Sequence, residues 1–473
     1  MKRIFVCMAL AMYLTVSFAQ DSDSLTLQQC IQTAIKNNLD VRQSELQMQT
    51  AEVFSAQARS NLLPAIFGNA THGINQGRSI DPYTNTYINQ QVNFATYGVN
   101  GSVVLFNGFG LINSAKQNSL AYDASKMDFQ QAKDNLTINV IVAYLQVLTE
   151  NDLLASAQNQ MTVSQKQVDR LEELNKQGAI VPSLMYDLKG QLANDKLAII
   201  NTQNTLDQAK ITLSQLMNAP YNGNLQVQSL TAEQFSAIYD QTPDKIYATA
   251  QQQLAMVKAA DLHLQSAEKG LAAARSNFYP VLSLNGGVNT NYSNAALQSI
   301  FQNTADITTT DYVVVDGNQL PVITQQQNFL SEKIPYRNQL ENNLSTSVSV
   351  GLSIPIFNSF TAKHRVELAK INVENATAVS QTTRIQLKQE IDQAYFNMTA
   401  AYNRYKTSTD QVAAYRESFR EAEVRFNTGA NTSVDYLIAK NNADVATLNL
   451  IIARYDYVLR TKILDYYQGK ALW

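Results

Sequence analysis

The most constraining feature of the chain is a long helix written twice in one register. Ile391, Met398, Tyr405, Val412, Phe419 and Phe426 stand seven apart without a break. Leu387, Ala394, Ala401, Ser408, Tyr415 and Ala422 accompany them four residues earlier. Apolar or small pairs recurring every seven residues form the seam of a helix that packs as a coiled coil. The same seam occurs 251 residues upstream. Val140, Val147, Leu154, Met161 and Val168 repeat the first track. Leu136, Ala143, Ala157, Ser164 and Leu171 repeat the second, with Glu150 in place of Ala401. Such a chain is two copies of one unit.

The polar positions of these helices are unusual. Charged residues are only 16% of the 473, and the net charge is −3. Asn, Gln, Ser and Thr stand where a soluble coiled coil favours Glu and Lys. That suits a wall that is wet but weakly charged. No basic patch points to nucleic acid. Met1 to Ala19 reads as a secretory signal: Lys2 and Arg3, the apolar run Ile4 to Val16, and a small-x-small site ending near Ala19. Cys30 is then the single mature cysteine, so no intrachain disulfide is available. No later stretch approaches the roughly 20 apolar residues of a membrane helix, so any membrane entry is as strands.

A second repeat has an offset of 216. Arg59-Ser60-Asn61-Leu62-Leu63-Pro64 returns as Arg275-Ser276-Asn277-Phe278-Tyr279-Pro280. Pro64 and Pro280 end helices, because the residue before a proline is driven from helical geometry. Strand-like runs follow. Leu282, Leu284, Val288 and Tyr292 alternate with Ser283, Asn285, Asn289 and Asn291, and Val348, Val350, Leu352, Ile354 and Ile356 alternate with Ser, Gly and Pro. Tyr97, Val99, Val103 and Leu105 do the same in the first copy. Each run is about ten residues, the length of a tilted membrane strand. A half-buried soluble sheet shows the same alternation. The nearly charge-free polar face and the aromatics at the run ends favour a membrane barrel. Those aromatics are Phe278, Tyr279, Phe106, Phe109, Phe357 and Phe360 on one side, Tyr97 and Tyr292 on the other. The polar stretch Asn294 to Asn343 carries about 35 residues more than its counterpart and reads as a long connection.

The expected layout is a signal at 1–19, a first repeat at 20–217, a linker at 218–245 and a second repeat at 246–473. The first repeat has strands at about 65–75 and 97–106, a long helix at about 109–177 and a return helix at about 184–217. The second has strands at about 281–293 and 345–356, a long helix at about 360–428 and a return helix at about 434–467. Each long helix would reach roughly 100 Å, too long to fold back within a compact domain. Gly178 and Gly429 read as left-handed helix stops, and Ser183 and Ser433 as caps of the helices that follow. Four strands cannot close a barrel, so the membrane reading demands an oligomer.

The exported chain, the repeated helix-Pro-strand unit, the paired strands and the long heptad helix together resemble the TolC-type outer-membrane efflux protein family, over about Leu25 to Gly469. The resemblance implies a mainly α fold with a transmembrane β portion. Three chains would form a 12-stranded barrel in the outer membrane, continued by a helical tunnel across the periplasm. It implies a homotrimer that touches outer-membrane lipid. It also implies a periplasmic adaptor docking at the tip turns (Gly178, Ser183, Gly429, Ser433) and an inner-membrane transporter of RND, ABC or MFS type. The implied function is the exit duct of a tripartite efflux or type I secretion system, with no cofactor and no catalysis. The family's acidic gate rings map onto Asp435, with Asp187 as the acidic residue of the first turn. Ile438 and Asn431 stand where the family often has charge. Asp435 also reads simply as a carboxylate in a helix first turn.

Two rivals remain at this level. His72, His263 and His364 are scattered, and no His/Cys/Asp/Glu cluster has metal-ligand spacing. No Gly-rich phosphate loop follows a strand. An enzyme is therefore disfavoured. A periplasmic coiled-coil structural or adaptor protein without a barrel would explain the heptads but not the strands.

Overall fold

In a computed structural model of the chain, the described residues are 24–80, 85–89, 91–230, 239 and 241–470. The expected signal and part of the expected linker lie outside them. The fold is mainly helical with a β portion. Its elements run β1 Ser24–Leu25, α1 Leu27–Asn37, α2 Leu39–Ser60, β2 Ala65–Asn75, β3 Arg78–Ile80, β4 Tyr87–Asn89, β5 Val92–Phe106, α3 Gly110–Lys176 and α4 Pro182–Leu216. They continue with β6 Gln226–Val227, α5 Pro243–Gln253, α6 Ala255–Arg275, β7 Val281–Ser293, β8 Leu297–Val315, β9 Asn318–Lys333, α7 Tyr336–Asn342, β10 Ser345–Ser353, α8 Thr361–Asn427 and α9 Ser433–Tyr467.

Local chemistry sets the boundaries. Thr26 caps α1 in a capping box with Gln29, whose backbone N–H donates to Thr26 Oγ1 at 3.2 Å while Gln29 Oε1 accepts from Thr26 N at 2.8 Å. The break after Asn37 arises because Asn38 turns extended and its Oδ1 accepts from Asp40 N at 2.9 Å, opening α2. The long helices α3 and α8 are both 67 residues. Each starts after two left-handed residues: Gly108 and Phe109 (φ 63° and 63°), Ser359 and Phe360 (φ 53° and 59°). Non-glycine residues in that region cost about 1–2 kcal/mol each. A Cβ at Gly108 would also lie 2.6 Å from Tyr279 Cβ.

Contacts divide the chain into two compact units. One holds the residues up to Val53, Ser119–Ser266 and Glu374 onward; the other holds Phe54–Asn118 and Ala267–Val373. The first unit is helical and buries the heptad seams in three clusters. Val140, Tyr144 and Val147 of α3 pack with Leu206 and Leu213 of α4 and Cys30 of α1. Leu387, Ile391 and Ala401 of α8 pack with Ile246 of α5, Val257 of α6 and Tyr457 and Leu464 of α9. Val168 and Leu171 of α3 join Met185 and Leu188 of α4, Phe426 of α8 and Tyr436 of α9. Glu150, the exception in the seam, is buried but satisfied. Its carboxylate accepts from Thr205 Oγ1 at 2.8 Å and Gln146 Nε2 at 2.6 Å.

The same unit buries a cation that sequence reading missed. Lys440 of α9 is 2% exposed. Its Nζ lies 2.7 Å from Asp444 Oδ2 and 3.3 Å from Asp195 Oδ2 of α4. Asp195 also accepts from Ser164 Oγ of α3 at 2.5 Å and from Gln191 Nε2 at 2.7 Å. Burial pushes the Asp444 carboxyl above the usual range even beside Lys440. Lys440 and Asp444, four apart, are legible on one helix. Asp195 is brought in by packing alone.

The second unit carries a four-stranded antiparallel sheet in the order β10-β7-β5-β2. The copies join where β5 pairs with β7, Val99 opposite Val288 and Gly101 opposite Gly286. Two expectations change here. β5 starts at Val92, not about 97, because Val92 to Thr96 continue the ladder with Asn75 to Thr71. β10 stops at Ser353, since Pro355 has no N–H to give a ladder. The expected connection at Asn294 to Asn343 instead contains the long hairpin β8–β9 and the short helix α7. Asp316 and Gly317, both at positive φ (48° and 82°), form its two-residue turn, the dipeptide suited to that geometry. The ribbon is wet on both faces, so it lacks the apolar–polar alternation that marks a half-buried strand.

Two measurements test this packing. Ile391→Ala, at a fully buried seam position, should cost about 2–5 kcal/mol, whereas Val379→Ala at an exposed position of α8 should cost under about 1 kcal/mol. Asp195→Ala, which strips a buried lysine of one carboxylate, should cost about 3–5 kcal/mol. Asp392→Ala removes an exposed partner of Lys388 and should cost under about 1 kcal/mol. Denaturant unfolding in detergent reads all four.

Candidate functional site

The two turns between long and return helices are built alike. α3 ends at Gly178 (φ 67°) and α8 at Gly429 (φ 78°). Ala179 N donates to Leu174 O at 2.9 Å and Ala430 N to Arg425 O at 2.8 Å, the six-to-one bond of a Schellman stop. A Cβ at either glycine would meet nothing within 4 Å. Glycine is thus required by backbone sign, and each turn presents an open surface.

The caps differ from the expectation. α9 is capped by Thr432, not Ser433: Asp435 N donates to Thr432 Oγ1 at 3.1 Å, and Asp435 Oδ2 accepts from Thr432 Oγ1 at 2.7 Å. Ser433 is the first helical residue, buried, and donates to Asp187 Oδ2 at 3.0 Å. α4 has Val181 at the cap position without a side-chain bond and Pro182 at its start, where a missing N–H is harmless, so Ser183 does not cap. Asp435, Asp187 and Ile438 are exposed. Below them Tyr436 stacks on Phe426 at 4.8 Å and meets Phe419 at 5.6 Å. Burial raises the Tyr436 phenol, which has no hydrogen-bond partner among the described residues. Arg170 of α3 donates to the side-chain and backbone oxygens of Asn427 at the end of α8. These links tie the two helical hairpins together just above their turns.

Pro64 and Pro280 stand directly before β2 and β7, where each chain copy leaves helix for strand. On one face of the sheet Val348, Val350 and Leu352 are 75%, 63% and 62% exposed. They pair in register with Gly286, Leu284 and Leu282. Phe106 and Phe109 meet edge-on at 5.6 Å, and Phe357 and Phe360 at 5.5 Å. Toward the other end Tyr336 of α7 lies 4.5 Å from Tyr292 and shares a 2.8 Å bond with the Tyr97 hydroxyl. Tyr336 extends the aromatic set of the strands. Its position in an unrecognised helix hid it from sequence reading. No helix among the described residues is long and apolar enough to cross a membrane.

No metal-ligand cluster of three or more His, Cys, Asp or Glu occurs among the described residues. His263 lies 2.9 Å from Asp128, whose hydrogen bond raises its pKa, and His364 pairs with Glu367. The Cys30 thiol is buried, which pushes its pKa up to about 11 and leaves it unreactive.

The outer membrane efflux protein family model matches residues 30–219 and 246–466. Toxin and drug export protein A of Aggregatibacter actinomycetemcomitans is 21% identical over 91% of this chain and 83% of its own length. The outer membrane protein TolC of Escherichia coli K12 is 21% identical over 93% and 82%. The fold matches crystal structures of CusC (TM-score 0.75, 16% identity, 94% of this chain and 92% of that one) and of VceC from Vibrio cholerae (0.75, 14%, 94% and 97%). The chain therefore belongs to the outer membrane efflux protein family, the TolC-type exit ducts of the outer membrane.

Proposed function

We propose that three copies of this chain form one continuous duct, with the β portion in the outer membrane and the helices in the periplasm. The observation that carries this is the four-stranded sheet. Its outer strands β10 and β2 have no partner beyond the sheet among the described residues, and its apolar face is exposed. In lipid every backbone polar group needs a partner, so open edges call for closure by neighbouring copies. Three sheets of four give twelve strands. The helices support the same reading. Val434, Ile438, Val445 and Ile452 form an exposed apolar stripe on α9, and Tyr186, Leu197 and Ile200 stand exposed on α4. Such stripes suit burial against a second copy. A water-soluble rod would leave both the stripes and the sheet face wet.

In this duct the tip turns at Gly178–Ser183 and Gly429–Ser433 face a periplasmic adaptor, and an inner-membrane transporter supplies cargo. Toxin and drug export is named for one relative, and we extend export of that kind to this chain. Three Asp435 carboxylates around a narrow axis attract cations and repel one another, with Asp187 contributing beside them. Ile438 belongs to the apolar stripe, so a second acidic ring is replaced by packing surface.

Light scattering in detergent should give the mass of three chains; a monodisperse monomer ends the barrel reading. In planar bilayers Asp435→Ala should abolish block by multivalent cations. Thr432→Ala, which breaks the same cap but keeps the charge, should retain block and lower helix stability by about 1 kcal/mol. Unaltered block in Asp435→Ala confines Asp435 to capping.

A further inference from the structure

The polar face of the sheet holds an arrangement that helix-tip gating does not use. β2, β5, β7 and β10 contain no Asp, Glu, Lys or Arg. His72 falls on the other, apolar face, in the row of Ala95 and Tyr292. On the polar face asparagine and glycine form a checkerboard. Asn289, Gly98 and Asn69 make one row; Gly287, Asn100 and Phe67 make the next. The amides run diagonally across three strands. Asn289 Nδ2 donates to Asn100 Oδ1 at 3.5 Å, and Asn100 Nδ2 donates to Asn69 Oδ1 at 3.0 Å. The glycines make the room. A Cβ at Gly98 would lie 2.2 Å from Asn289 Oδ1, and one at Gly287 would lie 2.4 Å from Asn100 Oδ1. Phe67, opposite Asn100, is 57% exposed.

We infer that this amide belt is a contact site for uncharged, polyhydroxylated cargo, the chemistry of a neutral oligosaccharide. The inference rests on the proposed duct, in which the polar face looks into the lumen. A neutral amide wall carries no net charge to offset that of an ion that sheds water there. A hydroxyl-rich chain exchanges its bonds to water for bonds to amides at little cost, because each amide both donates and accepts. The Asn69 amide nitrogen and the Asn289 carbonyl oxygen have no partner among the described residues and stay available. The Phe67 ring offers the apolar surface on which the C–H face of a sugar ring lies. Three copies repeat the belt around the wall.

The test uses the purified full-length protein in planar bilayers with maltohexaose, a polyethylene glycol of equal hydrodynamic size, and a charged oligogalacturonate. Maltohexaose should interrupt the current at millimolar concentration, and the other two should not. Asn100→Leu removes the middle of the diagonal and should raise the half-blocking concentration about tenfold, the worth of one or two hydrogen bonds. Its salt conductance and oligomeric mass should stay unchanged. Gly98→Val, which displaces two amides, should act in the same direction. Calorimetric titration of maltohexaose onto the protein in detergent, wild type against Asn100→Leu, gives the same answer where a closed tip passes no current. Equal block by the polymer, or equal sugar binding by Asn100→Leu and wild type, overturns the proposal. Absence of any conductance with retained amide-dependent sugar binding counts against the duct alone.

Discussion

Unpaired backbone is the constraint from which the rest follows. A β-strand at a sheet edge offers a row of N–H and C=O groups, and hydrocarbon supplies no water to satisfy them. The sheet of this chain has four strands, and its outer pair, β2 and β10, has no further partner among the described residues. A sheet that small has no way to close on itself. The exposed Val348, Val350 and Leu352 of β10, in register with Gly286 and the half-buried Leu284 and Leu282 of β7, suit an apolar surrounding medium. In the proposed duct, oligomerisation is a consequence of strand number and not an added property.

The helices meet a related demand by another route. Their seams bury Val140, Val147, Leu387 and Ile391 within one chain, which leaves a second stripe along α9 facing outward. A helix apolar on one side packs once; a helix apolar on two sides must find a second neighbour. Few strong charges decorate these surfaces, so the buried Lys440–Asp195–Asp444 group stands out. Its geometry joins the return helices of the two copies with Ser164 of α3. Removing one of its carboxylates would leave the buried lysine undercompensated, at a cost of about 3–5 kcal/mol.

At the turns, the Asp435 carboxylate is both a cap and an exposed charge. Asp435 completes the cap of α9, and it is exposed at the same time. A cap holds a side chain in one rotamer, which also fixes where its charge lies. Ser433 and Asp187 bind one another across the two hairpins, which joins the two turns.

Much of this was legible in the residues alone. The seven-residue seam, its duplication, the glycine stops, the proline exits and the three best alternating strands all follow from periods and backbone rules that act over a few residues. The hairpin β8–β9 was not legible, because a ribbon wetted on both faces has no apolar period to read, although Asp316-Gly317 marked its turn. Residue type does not separate Thr432 from Ser433, since either caps; only the backbone angle at each position does. The amide diagonal on the sheet and the partner of Lys440 were invisible for a deeper reason. Asn69, Asn100 and Asn289 lie on three strands, and Asp195 lies 245 residues from Lys440. Local sequence determines which elements form and which face is apolar. Which distant side chains then share a few ångströms is decided by strand register and helix packing, where many weak contacts must be satisfied together.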